Sequence, residues 1–307
     1  MAESHKAVLD REYAVETAKH FKDSLDLLND LLDYGTNLIP RAFVSSPRDL
    51  KAICIIFVQL RQFLVHLDGV ATLATAGNCA TATLQLRSLL ETAHTLEWIL
   101  ASDTNAKINY LYVANLRQRR QWNSTLVPRT PEATRHAETA SRVTLTPDQV
   151  KEITDEITHT DTILASQPFD IINAKFESTY AAKRGYDRPW YEVYAKLSIQ
   201  KISHEIGRAE EYTYFYSPFS GVSHGSDMWQ SIVVDDQDLQ MNPIREPQNV
   251  PQVVKLAATL ALRVLLMLIK QYRADEEENF NRKYKQEWRT RFLKDYNVEI
   301  FPRDLKI

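Results

Sequence analysis

Apolar residues recur at spacings of three and four along almost the whole chain, and little interrupts them. Only 7 of the 307 residues are glycine, so turn-dense β folds and Gly-rich phosphate loops have little to build with. The pattern predicts an all-α fold: a multi-helix bundle with a long polar loop before the two C-terminal helices. With 44% hydrophobic residues, residues 1–307 can bury a sizeable core and read as a single helical domain. The more polar segment 128–185 reads as a helical insertion packed on its side.

Start and stop signals divide the pattern. A first helix runs from His5 to Tyr34 and is ended by Gly35 and Pro40. Ser46 caps a second, with Pro47 in its first turn and Asp49 at its third position, which continues to Thr75. Gly77-Asn78 breaks the chain before a third helix that reaches Ala101. Asp103 or Thr104 starts a fourth, ending near Leu126. Thr130-Pro131 and Thr146-Pro147 are cap-plus-proline starts, and Gln149 completes a capping box for the second. Pro168 opens a stretch that ends at Gly185. Residues 186–226 hold two adjacent helical segments divided by Gly207. Residues 227–249 form the long loop, with one extended stretch at Ile232 to Val234. Two closing helices follow, Pro251 to Ala274 and Glu276 to Tyr296.

Composition narrows the function classes. A formal net charge of -3 offers no global attraction for nucleic acid. Cys54 and Cys79 lie in apolar helical patterns without ligand spacing, and read as two small buried hydrophobes. The most apolar stretch, Val253 to Ile269, contains Lys255 and Arg263 and reads as a core helix instead of a membrane span. Met1 to Asp10 is polar, so cytoplasm is the expected compartment. No Walker, GxSxG, HExxH or dinucleotide fingerprint occurs.

The third helix carries an unusual second face. At 100° per residue, Leu89, Ala93, Leu96 and Leu100 centre one side. Arg87, Glu91, His94 and Trp98 gather opposite. A solvated face seldom includes Trp, so this side is expected to meet another part of the protein, with Arg87 and Glu91 paired at i,i+4. Downstream, Tyr216, Ser220 and His224 fall at i, i+4 and i+8, with Ser223 beside them. Pro218 removes a backbone donor and should distort the helix near Tyr214. A Ser and a His in reach of each other suit a nucleophile and its base, or a satisfied pair at a helix end.

Arg87-Ser-Leu-Leu-Glu91 followed by Tyr216-Ser-Pro-Phe-Ser220-Gly-Val-Ser-His224-Gly-Ser226 resembles a bacterial helical family, domain of unknown function 5677. The resemblance covers residues 50–270 and implies a fold more than an activity. A weaker likeness is to the HEPN superfamily of helical ribonucleases and defence proteins, whose signature is Arg, four to six residues, then His, often followed by Gly. His224-Gly225 matches its end, but Pro218 and Phe219 occupy the place where Arg is required. The spacing recurs in Arg61/His66, Arg87/His94 and Arg129/His136, as chance allows.

Two Glu-x-x-His pairs, Glu91/His94 and Glu156/His159, have the spacing of di-iron bundles. Arg87 beside the first and the solvent-facing register of the second argue against a metal. Basic clusters at Arg117, Arg119, Arg120 and from Arg282 to Lys294, interleaved with Trp122, Tyr284 and Trp288, hold the residue types of single-strand binding. Their mixed charge reads as solvated helix faces. The expectation is therefore a buried polar site, Arg87/Glu91 with Tyr216/Ser220/His224, that binds a small ligand or a protein partner. Ser223, His94 and Trp98 complete it, without cofactor or metal. The alternative is a diverged HEPN-like ribonuclease of stress or phage defence, with His224, Arg87 and Glu91 catalytic and RNA as substrate. No membrane association is expected, and both readings admit a homodimer.

Overall fold

The computed structural model of the chain describes residues 8–45, 50–136, 138, 144–182, 187–223, 232–235 and 238–295. It is an all-α structure that divides into two compact units. Unit 1 comprises Met1–Trp98 and Ile202–Ile307; unit 2 is Ile99–Lys201.

In unit 1, helices α1 (Arg11–Lys19), α2 (Lys22–Ser45), α3 (Leu50–Thr75) and most of α4 (Cys79–Ala101) come first. Asp10 caps α1 by accepting from the Tyr13 amide at 2.9 Å. The first predicted helix is thus two, and the second of them runs straight through Gly35 and Pro40. Packing explains why neither residue stops it. A Cβ on Gly35 would stand 2.6 Å from Leu64 Cδ2 and 3.2 Å from Leu265 Cδ2, so glycine lets these leucines pack close against the helix backbone. Pro40 removes one helical donor, a loss set against buried Leu38 and Ala42 on either side. The proposed cap at Ser46, Pro47 and Asp49 lies outside the described residues. Gly77 does break the chain, at φ +66°, where a Cβ would meet the Ala14 carbonyl oxygen at 2.7 Å.

The C-terminal part of unit 1 closes the core. Within the expected loop, the extended stretch at Ile232 to Val234 is part of a short antiparallel hairpin, β1 (Ile232–Asp235) with β2 (Asp238–Met241), pairing Ile232 with Met241 and Val234 with Leu239. The long helix Val250–Tyr272 then packs on α2 and α3, burying Val253, Val254, Ala257, Leu260, Val264, Leu265 and Leu268. This helix and α3 are each long and apolar enough to cross a membrane by length and composition; in the fold both supply core residues. The last helical stretch buries Trp288 against Tyr34 and Phe280, with ring centroids 5.5 Å from each. Trp288 is therefore core, not part of a solvated basic face.

Unit 2 is organised around α5 (Thr104–Leu126), against which α6 (Pro131–Arg135), α7 (Pro147–Leu164), α8 (Phe169–Ala182) and α9 (Trp190–Ala195) pack. Both cap-plus-proline starts form: Thr130 accepts from the Ala133 amide at 3.0 Å, and Thr146 with Gln149 makes the reciprocal capping box. The Arg117 to Arg120 cluster is neutralised by carboxylates. Buried Arg117 donates to both Asp187 oxygens at 2.8 and 3.0 Å and to Glu177 at 2.5 Å. Arg120 pairs with Asp161, and Arg119 with Glu156. Glu156 also accepts from Asn123 at 2.9 Å, so the second Glu-x-x-His pair does not simply face water.

Candidate functional site

The second face of α4 is covered, as its Trp demanded, by the segment that follows α10 (Ile199–Glu205). That helix ends in a Schellman turn: Gly207 at φ +70°, with Arg208 N–H donating to the Ser203 carbonyl at 2.6 Å and Gly207 N–H to that of His204 at 3.1 Å. The turn sends the chain back along α4 through the short helix α11 (Ala209–Glu211). A π-helical turn, Tyr212–Tyr216, follows, and then α12 (Ser217–Ser223). Pro218 has no N–H to offer the Tyr214 carbonyl, and the widened turn lies just before it. Tyr212 and Tyr216 stack within that turn at 5.0 Å and 20°.

A ladder of polar contacts joins these elements. The Arg87 guanidinium lies over the Tyr216 ring, 5.1 Å from its centroid, and donates to Tyr216 Oη at 3.4 Å. Tyr216 Oη in turn donates to Glu91 Oε2 at 3.0 Å. One turn further, His94 sits between Ser203 Oγ, 2.8 Å from Nδ1, and Glu211 Oε2, 2.9 Å from Nε2. A carboxylate only accepts, so the Nε2 hydrogen belongs to the Glu211 contact. Glu211 also receives both terminal nitrogens of Arg263, a charge carried into the site by the Val250–Tyr272 helix. Glu97 accepts from Arg208 Nη2 at 3.1 Å and lies 3.3 Å from Arg263 Nε. Trp98 Nε1–H donates to Glu205 at 2.7 Å.

Within the half-buried part of the ladder Arg87, Arg208 and Arg263 offset Glu91, Glu97 and Glu211, while Glu205 at its end is exposed. Burial alone would push the Glu211 carboxyl up. The hydrogen bonds from His94 and Arg263, with the positive charge of Arg263, outweigh it and bring the carboxyl down to about 2. Burial, and next the negative charge of Glu91, raises the Tyr216 phenol, so it stays a proton donor. Among the described residues no group of three or more His, Cys, Asp or Glu side chains is arranged to hold a metal.

The structure thus brings together Arg87, Glu91, His94, Trp98 and Tyr216. Ser220 lies half-buried in α12 and joins none of these contacts. The Ser223 side chain and all of His224 lie outside the described residues. Ser203, Glu97, Arg208, Glu211 and Arg263 were not anticipated. Glu97 was within reach of sequence reasoning, since it adjoins Trp98 and follows His94 by three. Arg263 was visible as a charge in an apolar helix, a standard sign of a buried pair.

Across this geometry runs a sequence match. Residues 54–239, more than half of the chain, match a family of unknown function, DUF5677. The chain belongs to this family. The DUF5677 match spans α4 and the segment through α12, the two halves of the ladder. It lends nothing to the HEPN likeness. No curated protein and no solved structure matches the chain.

Proposed function

We propose that this DUF5677 protein is a binding module, and that it recognises a small ligand or a partner's side chain at the Arg87–Tyr216–Glu91 end of the ladder. The observation that carries the reading is a contrast in burial. His94 and Ser203, a base and a hydroxyl at hydrogen-bond distance, resemble an activated nucleophile, yet both are 0% exposed. A substrate carbonyl has no route to Ser203 Oγ, and the pair acts as a fastener between α4 and α10. Arg87 and Glu91 remain partly exposed. The Arg87–Tyr216 hydrogen bond, at 3.4 Å, is the longest link between them and the one a ligand acceptor would most readily replace. A cation beside a carboxylate, with two stacked tyrosines as a wall, suits a planar group that both donates and accepts, such as a nucleobase or carboxamide.

The test is calorimetry and thermal shift with nucleosides and small amides on the wild type, Arg87→Gln and Tyr216→Phe. At least one probe is expected to raise the melting temperature of the wild type and to bind about tenfold or more weakly to Arg87→Gln, a loss of about 1.4 kcal/mol. Binding that is indifferent to both substitutions, or absent, would remove the reading. RNA cleavage by the purified protein that His224→Ala abolishes would favour the ribonuclease instead.

A further inference from the structure

The outward face of α3 carries a pattern that its own unit leaves unused. Cys54, Val58, Arg61, Val65, Asp68 and Thr72 recur at spacings of three and four, and all are exposed. Cys54, read from sequence as buried, belongs to this face. Val58 is 61% and Val65 46% exposed, two turns apart on the same line. Between Ala52 and Thr75 the only Asp, Glu, Lys or Arg side chains are Arg61 and Asp68. Among the described residues neither forms a side-chain hydrogen bond or an ion pair. Beside the stripe, between α2 and α3, runs a groove of about 490 Å³ with Leu32, Ile39 and Leu64 in its lining and Arg61, Val65 and Asp68 along one edge.

The geometry points to a second copy of this chain as the occupant, with two α3 helices crossing antiparallel about a two-fold axis at Val65. Such an axis sets each residue against the one equally far on the other side of Val65. Val65 meets its own counterpart, and Val58 faces Thr72. Arg61 of each copy falls on the turn that carries Asp68 of the other, so a lone cation and a lone anion become two equivalent pairs. Asp33, on the opposite edge of the groove, offers the incoming arginine a second acceptor. The arrangement is self-complementary only when antiparallel; a parallel pair would set like charges together. The stripe from Cys54 to Thr72 spans about 27 Å at the helical rise. Opposite charges seven residues apart at its centre suit a protein partner and oppose insertion into lipid.

Sedimentation velocity over a range of micromolar concentrations tests this. The wild type is expected to dimerise, and Arg61→Glu and Asp68→Arg each to weaken the dimer at least tenfold, with helical circular dichroism unchanged because both sites are exposed. The double charge swap should restore the dimer. Mixing the two single variants should yield a heterodimer, since only that combination pairs opposite charges at both positions. Val65→Cys in a Cys54→Ser background should cross-link under oxidation. A wild type that stays monomeric, a dimer indifferent to Arg61→Glu, or binding to anionic vesicles in place of self-association would each overturn the inference.

Discussion

His94 shows how one residue ties two parts of the sequence together. It is fully buried, yet each ring nitrogen has a partner, which is the condition for burying an imidazole at all. The more consequential group is its partner Glu211, whose carboxyl is brought from an ordinary 4.5 to about 2. The depressed value means that the folded state favours the ionised form. Its contribution is fully present above the unfolded value and is lost as pH falls from about 4.5 towards 2. The shift corresponds to stability on the order of 3 kcal/mol at neutral pH. Glu211→Gln should therefore lower the urea midpoint clearly at pH 7, and the gap from wild type should close by about pH 2. A gap that stays constant across that range would show that the Glu211 charge contributes nothing.

At the scale of elements, the threonine caps and the long helices follow local rules, while Asp103 opens α5 at φ 46° without a side-chain cap hydrogen bond. Thr146 with Gln149 forms the box that its spacing announces. Gly35, which reads as a stop, instead sits inside α2 because two neighbouring helices crowd that point. The Val250–Tyr272 helix has the apolar stripe of a central element, and Leu265 within it is completely buried. Leu265→Ala should cost about 2–5 kcal/mol, measured by denaturant unfolding. A cost near zero would place this helix at the periphery. The π turn at Tyr212–Tyr216 could be foreseen as a distortion near Pro218, but not as the device that aims Tyr216 at Glu91. That aim depends on where α4 lies.

At the scale of the whole molecule, each unit has its own buried polar anchor. In unit 2 it is Arg117, whose guanidinium faces Asp187, Glu177 and Asn173. A cavity of about 290 Å³ lies beside it, lined also by Arg120, Asp161 and Tyr180. Arg117 is the buried member of this network; without it, half-buried Asp187 and Asn173 lose their partner, while Glu177, 56% exposed, can turn to solvent. Arg117→Met should accordingly speed amide hydrogen exchange across α5, α7 and α8. Unchanged protection there would mean that the network is ornamental to stability.

The sequence by itself determined the helical class, most helix starts and the fact that Arg87, Glu91, His94 and Trp98 share a covered face. Each of these is a local property, readable from the 3.6-residue period and from cap chemistry. Only the tertiary structure decided what covers that face. Ser203 lies 109 residues from His94, and Tyr216 lies 125 from Glu91. Arg263 arrives from a third helix altogether. Periodicity reports that a polar side chain must find a partner, but the partner is chosen by which helices pack together. That choice is made by summed apolar burial over the whole unit, and no spacing along the chain encodes it.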